Sequence, residues 1–348
     1  MVIVTTFQSG SALVSPEGLG AGARHIEKRK RLGQRRNKEI YMLKTIRKGE
    51  WFHMIIPNEW EGKTPEEVFR QVWEAPKKLT HSFRMENTVL LDGNRINWTL
   101  PLHSGDVLQI KLFVDEPFTV IPQFHDIDVL YEDDHVMVVN KPPFMNTHPN
   151  DITTDHTTLI NALAFYVQSN GEDRNIRQIH RLDRDTSGAI LFAKHALAGA
   201  ILDKMLEKRE IKRTYIAAVH GLLRPKKGRI NKAIGRDRHH ATRRRVSDTG
   251  QEAITNYQVL TEDKNKHFSI VRCWLETGRT HQIRVHLSHV GHPLIGDTLY
   301  GGKEIVNRQA LHAAKLEFNH PLTQELITCH APIQDLQNLF QSIDIYSL

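Results

Sequence analysis

Sulfur is scarce in this sequence. Cys273 and Cys329 are its two cysteines, far apart and outside any CxxC spacing. That argues against a disulfide framework, a thiolate zinc site or an iron–sulfur cluster, and it fits a reducing, cytoplasmic compartment. No apolar run approaches the length of a membrane span. The first residues lack the basic-then-apolar order of a secretory leader. Negative charge is also short: 40 Asp and Glu face 47 Lys and Arg, a formal charge of +7 before 21 histidines are counted. Such a surplus favours polyanionic partners, nucleic acid first and anionic membrane second. The 348 residues allow a substantial core and two domains.

Residues 1–38 read as a basic flexible tail, since "SGSALVSPEGLGAGA" is small and Gly-rich, "RHIEKRKRLGQRRNK" is basic, and neither offers much to bury. A first domain is expected over 39–115. In "TPEEVFRQVWEA", Val68, Phe69, Val72 and Trp73 fall at helical spacing behind a Thr64–Glu67 capping box. "NTVLLDGNRINWTLPLHSGDVLQIKLF" predicts a strand at Val89–Leu91, a tight turn at Asp92-Gly93, a return over Arg95–Trp98 and, after "HSGD", a strand over Val107–Phe113. A helical part followed by a small hairpin, "GD" and a hydrophobic strand resembles the S4 RNA-binding domain. Residues 116–125 hold two prolines and read as a linker.

A second domain is expected over 126–348. "DVLYEDDHVMVVNKPP" gives two short strands around an acidic turn, "TLINALAFYVQSN" and "LAGAILDKMLEKREI" are helices, and "KRTYIAAVHG" is a strand stopped by glycine. "EAITNYQVL", "HFSIVRCWLE" and "LHAAKLEFNHP" are further strands, and "RTHQIRVHLSHVG" is a helix. Irregular alternation with turn-linked strand pairs predicts an α+β fold: a mixed, mainly antiparallel central sheet flanked by helices and loops. The segment Arg224 to Arg245 holds ten Lys or Arg and one acid, Asp237. It reads as a loop, either simply solvated or closing on phosphates with Arg243, Arg244 and Arg245.

Two segments concentrate chemistry. "HRLDRDTSGAILFAK" sets two carboxylates among two guanidiniums directly before a core strand. If the segment is extended, Arg181 and Asp183 share one side and Leu182 turns to the core. In "TGRTHQIRVHLSHVGHPLIGDTLYG", Thr280 can cap a helix whose apolar stripe is Ile283, Leu287 and Val290. His281, Arg284 and Ser288 then share a different face, near the N-terminus where an anion is favoured.

With "YEDDHVMVVNKPPFMNTHP" and "KRTYIAAVHG", these segments resemble the ordered motifs of RluA-type pseudouridine synthases, over about residues 120 to 320. A small S4-like module ahead of the catalytic domain is common in that family. The resemblance implies isomerisation of uridine in ribosomal or transfer RNA. The N1–C1′ bond breaks, the freed base rotates, and a C5–C1′ bond forms, with no oxidation and no net group transfer. Neither cofactor nor metal is therefore expected. The resemblance makes Asp183 the carboxylate at C1′, acting by covalent addition or by removing a sugar proton. Arg284 is its partner, offsetting the rise in pKa that desolvation would impose. Tyr215 packs on the target base. Arg181 faces the RNA, where its planar guanidinium can support the displaced base. Ile283, Arg279, His281 and His180 are expected around the substrate, His180 chiefly to orient the loop. Asp185 with Thr186, Ser187 and Gly188 shapes the turn, and Lys141 is a candidate for backbone phosphate. RNA is the expected partner, no obligate protein partner is evident, and a monomer is expected.

Other readings carry less. His281, His286, His289 and His292 invite a metal, but the spacing is not HExxH and Arg284 interrupts it. His180, Asp183 and Ser187 include the ingredients of a hydrolase triad without a G-x-S-x-G elbow. "GLGAGA" follows no strand and opens no helix, so it is not a dinucleotide loop. The alternative from another class is a non-catalytic RNA-binding or ribosome-assembly protein on the same fold. Asp183, Tyr215 and Arg284 together favour the enzyme, because a binding module has no physical need of all three.

Overall fold

Alternating apolar residues build the first sheet. The computed structural model describes residues 45–348, so the tail expected over 1–38 lies outside the described residues. Strands β1 (Thr45–Lys48), β2 (Trp51–Ile55), β3 (Val89–Leu91), β4 (Asn94–Arg95) and β5 (Val107–Lys111) form one antiparallel sheet, ordered β1-β2-β5-β3-β4. Phe52 and Met54 on β2 and Leu108 and Ile110 on β5 alternate into the core. The turn at Asp92-Gly93 has φ of 51° and 80°, the two positive values that a two-residue hairpin turn needs.

Three expectations here need correction. The capping box is present, with Thr64 Oγ1 accepting the Glu67 N–H at 3.2 Å. The helix behind it, however, is one α-turn, α1 (Pro65–Glu67), that widens into a π-turn over Val68–Val72. The widening seats Trp73 edge-on against Phe69 and Trp60 at 4.9 and 5.4 Å and leaves Val72 40% exposed. A separate helix, α2 (Lys77–Met85), follows. The return strand β4 stops at Arg95, and β5 stops at Lys111 because the N–H groups of Leu112 and Phe113 both turn to the Glu50 carbonyl.

The second sheet holds ten strands: β6 (Asp128–Glu132), β7 (Val136–Lys141), β8 (Arg177–Gln178), β9 (Ser187–Ala193), β10 (Lys212–His220), β11 (Lys227–Asn231), and, after the separate hairpin β12 (Ile234–Arg236) and β13 (Arg244–Val246), β14 (Ile254–Asp263), β15 (Phe268–Leu275), β16 (Leu311–Asn319) and β17 (Leu326–His330). The main order is β11-β14-β15-β10-β16-β9-β7-β6, with β17 beside β16 and β8 beside β9. Every pair is antiparallel except β9 with β16, so the fold is the mixed, mainly antiparallel α+β class expected. Both faces of β7 and β9 are buried. Met137, Val139, Ile190 and Phe192 pack under helix α3 (Leu159–Ser169). Val136, Val138 and Leu191 pack under helix α4 (Ala196–Glu207), in a core that continues into Phe52 and Phe113 of the N-terminal sheet.

Where β9 meets β16, Gly188 has φ +112°, and a Cβ there would lie 2.3 Å from the Ala313 carbonyl oxygen. Only glycine fits. The basic segment read as a loop also carries ordered strand: β11 extends the main sheet and β12–β13 pair as a hairpin. Its anchors are Ile230 and Ile234, 7% and 5% exposed, two apolar residues among ten cations. Among the described residues, no helix is long and apolar enough to cross a membrane.

Candidate active site

The segment His180–Thr186 leads from β8 into β9 without regular structure of its own, and donors from elsewhere hold it. As alternation requires, Leu182 is buried and Arg181 exposed. Thr147 Oγ1 donates to the Leu182 carbonyl, Lys141 Nζ to that of Arg184, and Arg308 to that of Asp185. The Thr186 N–H closes the turn on the Asp183 carbonyl at 3.0 Å. His180 is buried, and its Nε2 accepts the Leu191 N–H at 3.2 Å. Burial, then the Arg213 charge, pushes its pKa down to about 3. It is a neutral ring that fixes the loop.

Lys141 is a correction. The structure buries it completely and turns Nζ inward onto the carbonyls of Pro142, Met145 and Arg184, at 2.8 to 2.9 Å. No phosphate can reach it. Burial pushes its pKa down to about 7, yet donating to three carbonyls requires all three protons of the ammonium.

The facing helix is α5 (Gln282–His289). Thr280 does not cap it. His281 takes the cap position at φ +59° without a side-chain bond to the helix, and Gln282 does the local fixing. Its Oε1 accepts from Thr277 Oγ1 and the Arg279 N–H, and its Nε2 donates to the Ile254 carbonyl. Ile283 and Leu287 are buried, while Val290 is 40% exposed and falls out of the stripe. His281, Arg284 and Ser288 do share a face, and they share it with Tyr300. His281 Nδ1 lies 2.8 Å from the Tyr300 hydroxyl, Ser288 Oγ donates to the Tyr300 carbonyl, and Arg284 sits over the ring at 5.0 Å.

Arg284 joins two carboxylates. Nη1 meets Asp183 Oδ2 at 3.1 Å, while Nε and Nη2 grip Asp297 at 2.7 and 2.9 Å. Burial opposes its charge, but the bond to Asp297 and the two nearby carboxylates outweigh that and raise its pKa above the usual arginine value. His281 Nε2 stands 3.8 Å from Asp183, and burial holds its pKa below the ordinary histidine value. The other histidines of this segment diverge: His286 bonds Thr255 and the Lys232 carbonyl, and His292 bonds the His220 carbonyl.

Asp183 lies between two cavities. One, of about 650 Å³, is lined by Leu182, Tyr215, Ile283 and Leu311 along with Arg181, His180, Arg279, His281 and Arg284. The other, of about 500 Å³, is polar, with Asn146, His148, Asn307 and Gln309 on its wall. Arg181, Asp183, His281 and Arg284 border both. The eight residues expected at the reacting centre thus meet around one cavity, from β10, the β15–α5 connection, α5 and the β8–β9 connection. Arg243, Arg244 and Arg245 lie on the β12–β13 hairpin nearby, with Arg243 over the Tyr300 ring at 5.8 Å.

Asp297, Tyr300 and Arg308 were missed from the sequence. Arg308 is buried, and it bonds Asp335, Ser187 Oγ and the carbonyls of Asp185, Gln309 and Leu311. The signal for Asp297 and Tyr300 is "GDTLYG", the end of the same motif, to which the sequence alone assigns no role.

Comparison with known proteins identifies the family. The RNA pseudouridylate synthase family model matches residues 135–289, and the RluD ribosomal pseudouridine synthase N-terminal domain matches 52–108. The uncharacterized RNA pseudouridine synthase YhcT of Bacillus subtilis is 45% identical over 294 residues, 84% of this chain and 97% of the relative. Ribosomal large subunit pseudouridine synthase D of Xylella fastidiosa is 36% identical over 305 residues, 83% of this chain and 91% of the relative. Among solved structures, human RNA pseudouridylate synthase domain containing 1 is 25% identical with a TM-score of 0.51, covering 64% of this chain and 96% of that one. The chain belongs to the RluA-type RNA pseudouridine synthases, enzymes that isomerise uridine in RNA.

Proposed function

We propose that Asp183 is the essential carboxylate at C1′ of a uridine flipped into the larger cavity, and that the substrate is structured RNA, ribosomal before transfer RNA. The Asp183–Arg284 ion pair carries this reading: it sets one carboxylate at the junction of two cavities, against a guanidinium that a second, buried carboxylate orients. Such a group is in place before the substrate arrives, which is where positional catalysis gains most. Tyr215 and Ile283 offer the base an aromatic and an aliphatic wall. Arg181, exposed at the mouth, can fill the space the base vacates. The arginines of the β12–β13 hairpin and the N-terminal module dock the surrounding RNA. Flipping costs a few kcal/mol, which favours uridines in loops and junctions. The preference for ribosomal RNA rests on relatives named for the large ribosomal subunit.

Tritium release from 5-tritiated uridine in RNA tests the chemistry. Asp183→Asn should abolish release and leave RNA binding nearly intact. Normal release by that variant would remove Asp183 from the mechanism. Mapping pseudouridines in total RNA with and without the gene identifies the target, and a change confined to transfer RNA would overturn the ribosomal assignment.

A further inference from the structure

Five arginines line the larger cavity, and four have an evident use. Arg284 is bound by Asp183 and Asp297, Arg209 by Glu276, Arg279 donates Nε to the Glu252 carbonyl, and Arg181 is exposed at the mouth. Arg213 differs. Among the described residues it has no ion pair or side-chain hydrogen bond, and its Nε is buried without a partner. A guanidinium donor hidden from water and left unpaired costs stability. Its position therefore points to a ligand that is bound only during function.

The surroundings say which ligand. Arg213 and Tyr215 are two residues apart on β10 and line the same cavity, so their Cα atoms stand roughly 7 Å apart on one face of the strand. The opposite loop makes room: a Cβ on Gly278 would lie 3.1 Å from Arg213 Nη1. Asp183 lines this cavity with them, and the Tyr215 phenol feels the charges of both Arg213 and Asp183. A base lying on Tyr215, with its sugar at Asp183, would present its carbonyl edge toward Arg213.

We propose that Arg213 is a catalytic residue whose guanidinium binds the uracil carbonyls and stabilises the negative charge of the detached base. This rests on the assignment of Asp183 and Tyr215 above. When the N1–C1′ bond breaks, its electron pair goes to N1 and spreads onto O2 and O4. Asp183 answers the deficit at C1′, by bonding to it or by taking a sugar proton. The C5–C1′ bond then forms, the C5 hydrogen leaves as a proton, N1 takes up a proton, and Asp183 is regenerated. A fixed cation beside O2 or O4 acts while the base is an anion, so its effect falls on the chemical step.

Single-turnover conversion at saturating RNA tests this, with consumption of the target nucleoside followed by chromatography. Arg213→Gln should slow conversion on the order of 100-fold, with RNA affinity within about twofold of wild type by filter binding. Arg213→Lys should recover much of the loss by restoring the charge, and it serves as the test should the Gln variant fold poorly. On RNA carrying 5-fluorouridine, whose base anion the fluorine already stabilises, the Gln deficit should shrink. An unchanged rate overturns the proposal, as does an equal deficit on fluorinated RNA. So does a loss confined to affinity with a shallower salt dependence, the mark of a phosphate contact. Wild-type turnover together with an inactive Asp183→Asn keeps the underlying assignment standing whichever way Arg213 falls. Absence of turnover by wild type would remove both.

Discussion

The two carboxylates that Arg284 holds have different duties. Asp297 is buried and takes two of the guanidinium's bonds, while Asp183 takes one and faces the cavities. Asp297 thus fixes the plane of the guanidinium and leaves Nη1 directed at Asp183. In Asp297→Asn an amide NH2 faces the guanidinium, and the uncompensated cation draws Asp183 toward itself. A displacement of this kind is expected to cut the single-turnover rate on the order of 100-fold with little change in RNA affinity. A quenched-flow tritium-release measurement beside filter binding checks it, and a wild-type rate would show that Arg284 needs no orienting partner. Asp183 and Arg284 were legible because each sits within a long motif. The roles of Asp297 and Tyr300, 13 and 19 positions from Arg284 and His281, were not, although both stand in the same motif, and Arg308 reaches Ser187 across 121 positions. No local spacing encodes such a contact.

At the level of elements, the Asp183 loop is regular only where it joins β9. Lys141, the last residue of β7, ties the Arg184 carbonyl to the chain that follows its own strand. Lys141→Met would leave three carbonyls without that donor, and it is expected to cost about 3 kcal/mol of stability. A lowered urea midpoint with an unchanged m-value would register this loss, and an unshifted midpoint would show that water replaces the ammonium. Residue type alone misled the sequence reading here, because a lysine before two prolines looks like a surface lysine. Strands with alternating Val, Ile and Leu were readable at once. In the basic excursion the charges masked Ile230 and Ile234, the two residues that decide its strands.

Across the whole molecule, the N-terminal sheet is joined to the catalytic sheet by charge and by buried histidines. Arg47 on β1 bonds Asp134 and Glu172 at 2.7 and 2.9 Å, and Lys194 bonds Glu132 and Glu172. Beneath them His135 and His195 share a 2.9 Å hydrogen bond, and the His135 ring meets Phe52 edge-on. Burial lowers the pKa of His135 to about 4, of His180 to about 3 and of His312 to about 4, and that of His195 falls well below its ordinary value. The sign follows directly. Unfolded histidines take up protons near pH 6.5 while the folded ones refuse them until about pH 4 or below, so between those limits the unfolded chain binds more protons. The histidine contribution to stability is therefore complete above pH 6.5 and declines as the pH falls toward 4. Each such histidine contributes about 2 kcal/mol of loss at pH 5. Calorimetry at pH 7.5 and pH 5 should show a clearly lower Tm at pH 5, and equal values would mean that the histidines are hydrated.

The clasp on the Asp183 loop also has a place in time. Arg308, Gln309 and His312 close on Asp185, Thr186 and Ser187, and Asp335 in turn holds Arg308. The β9–β16 pairing that aligns them joins segments 125 positions apart. A growing chain that has just passed residue 307 already carries Asp183, Tyr215 and Arg284, and the Thr147 and Lys141 donors to the Asp183 loop, but not the clasp on Asp185, Thr186 and Ser187. Activity should therefore appear late and all at once during synthesis, when residues through Asp335 have left the ribosome.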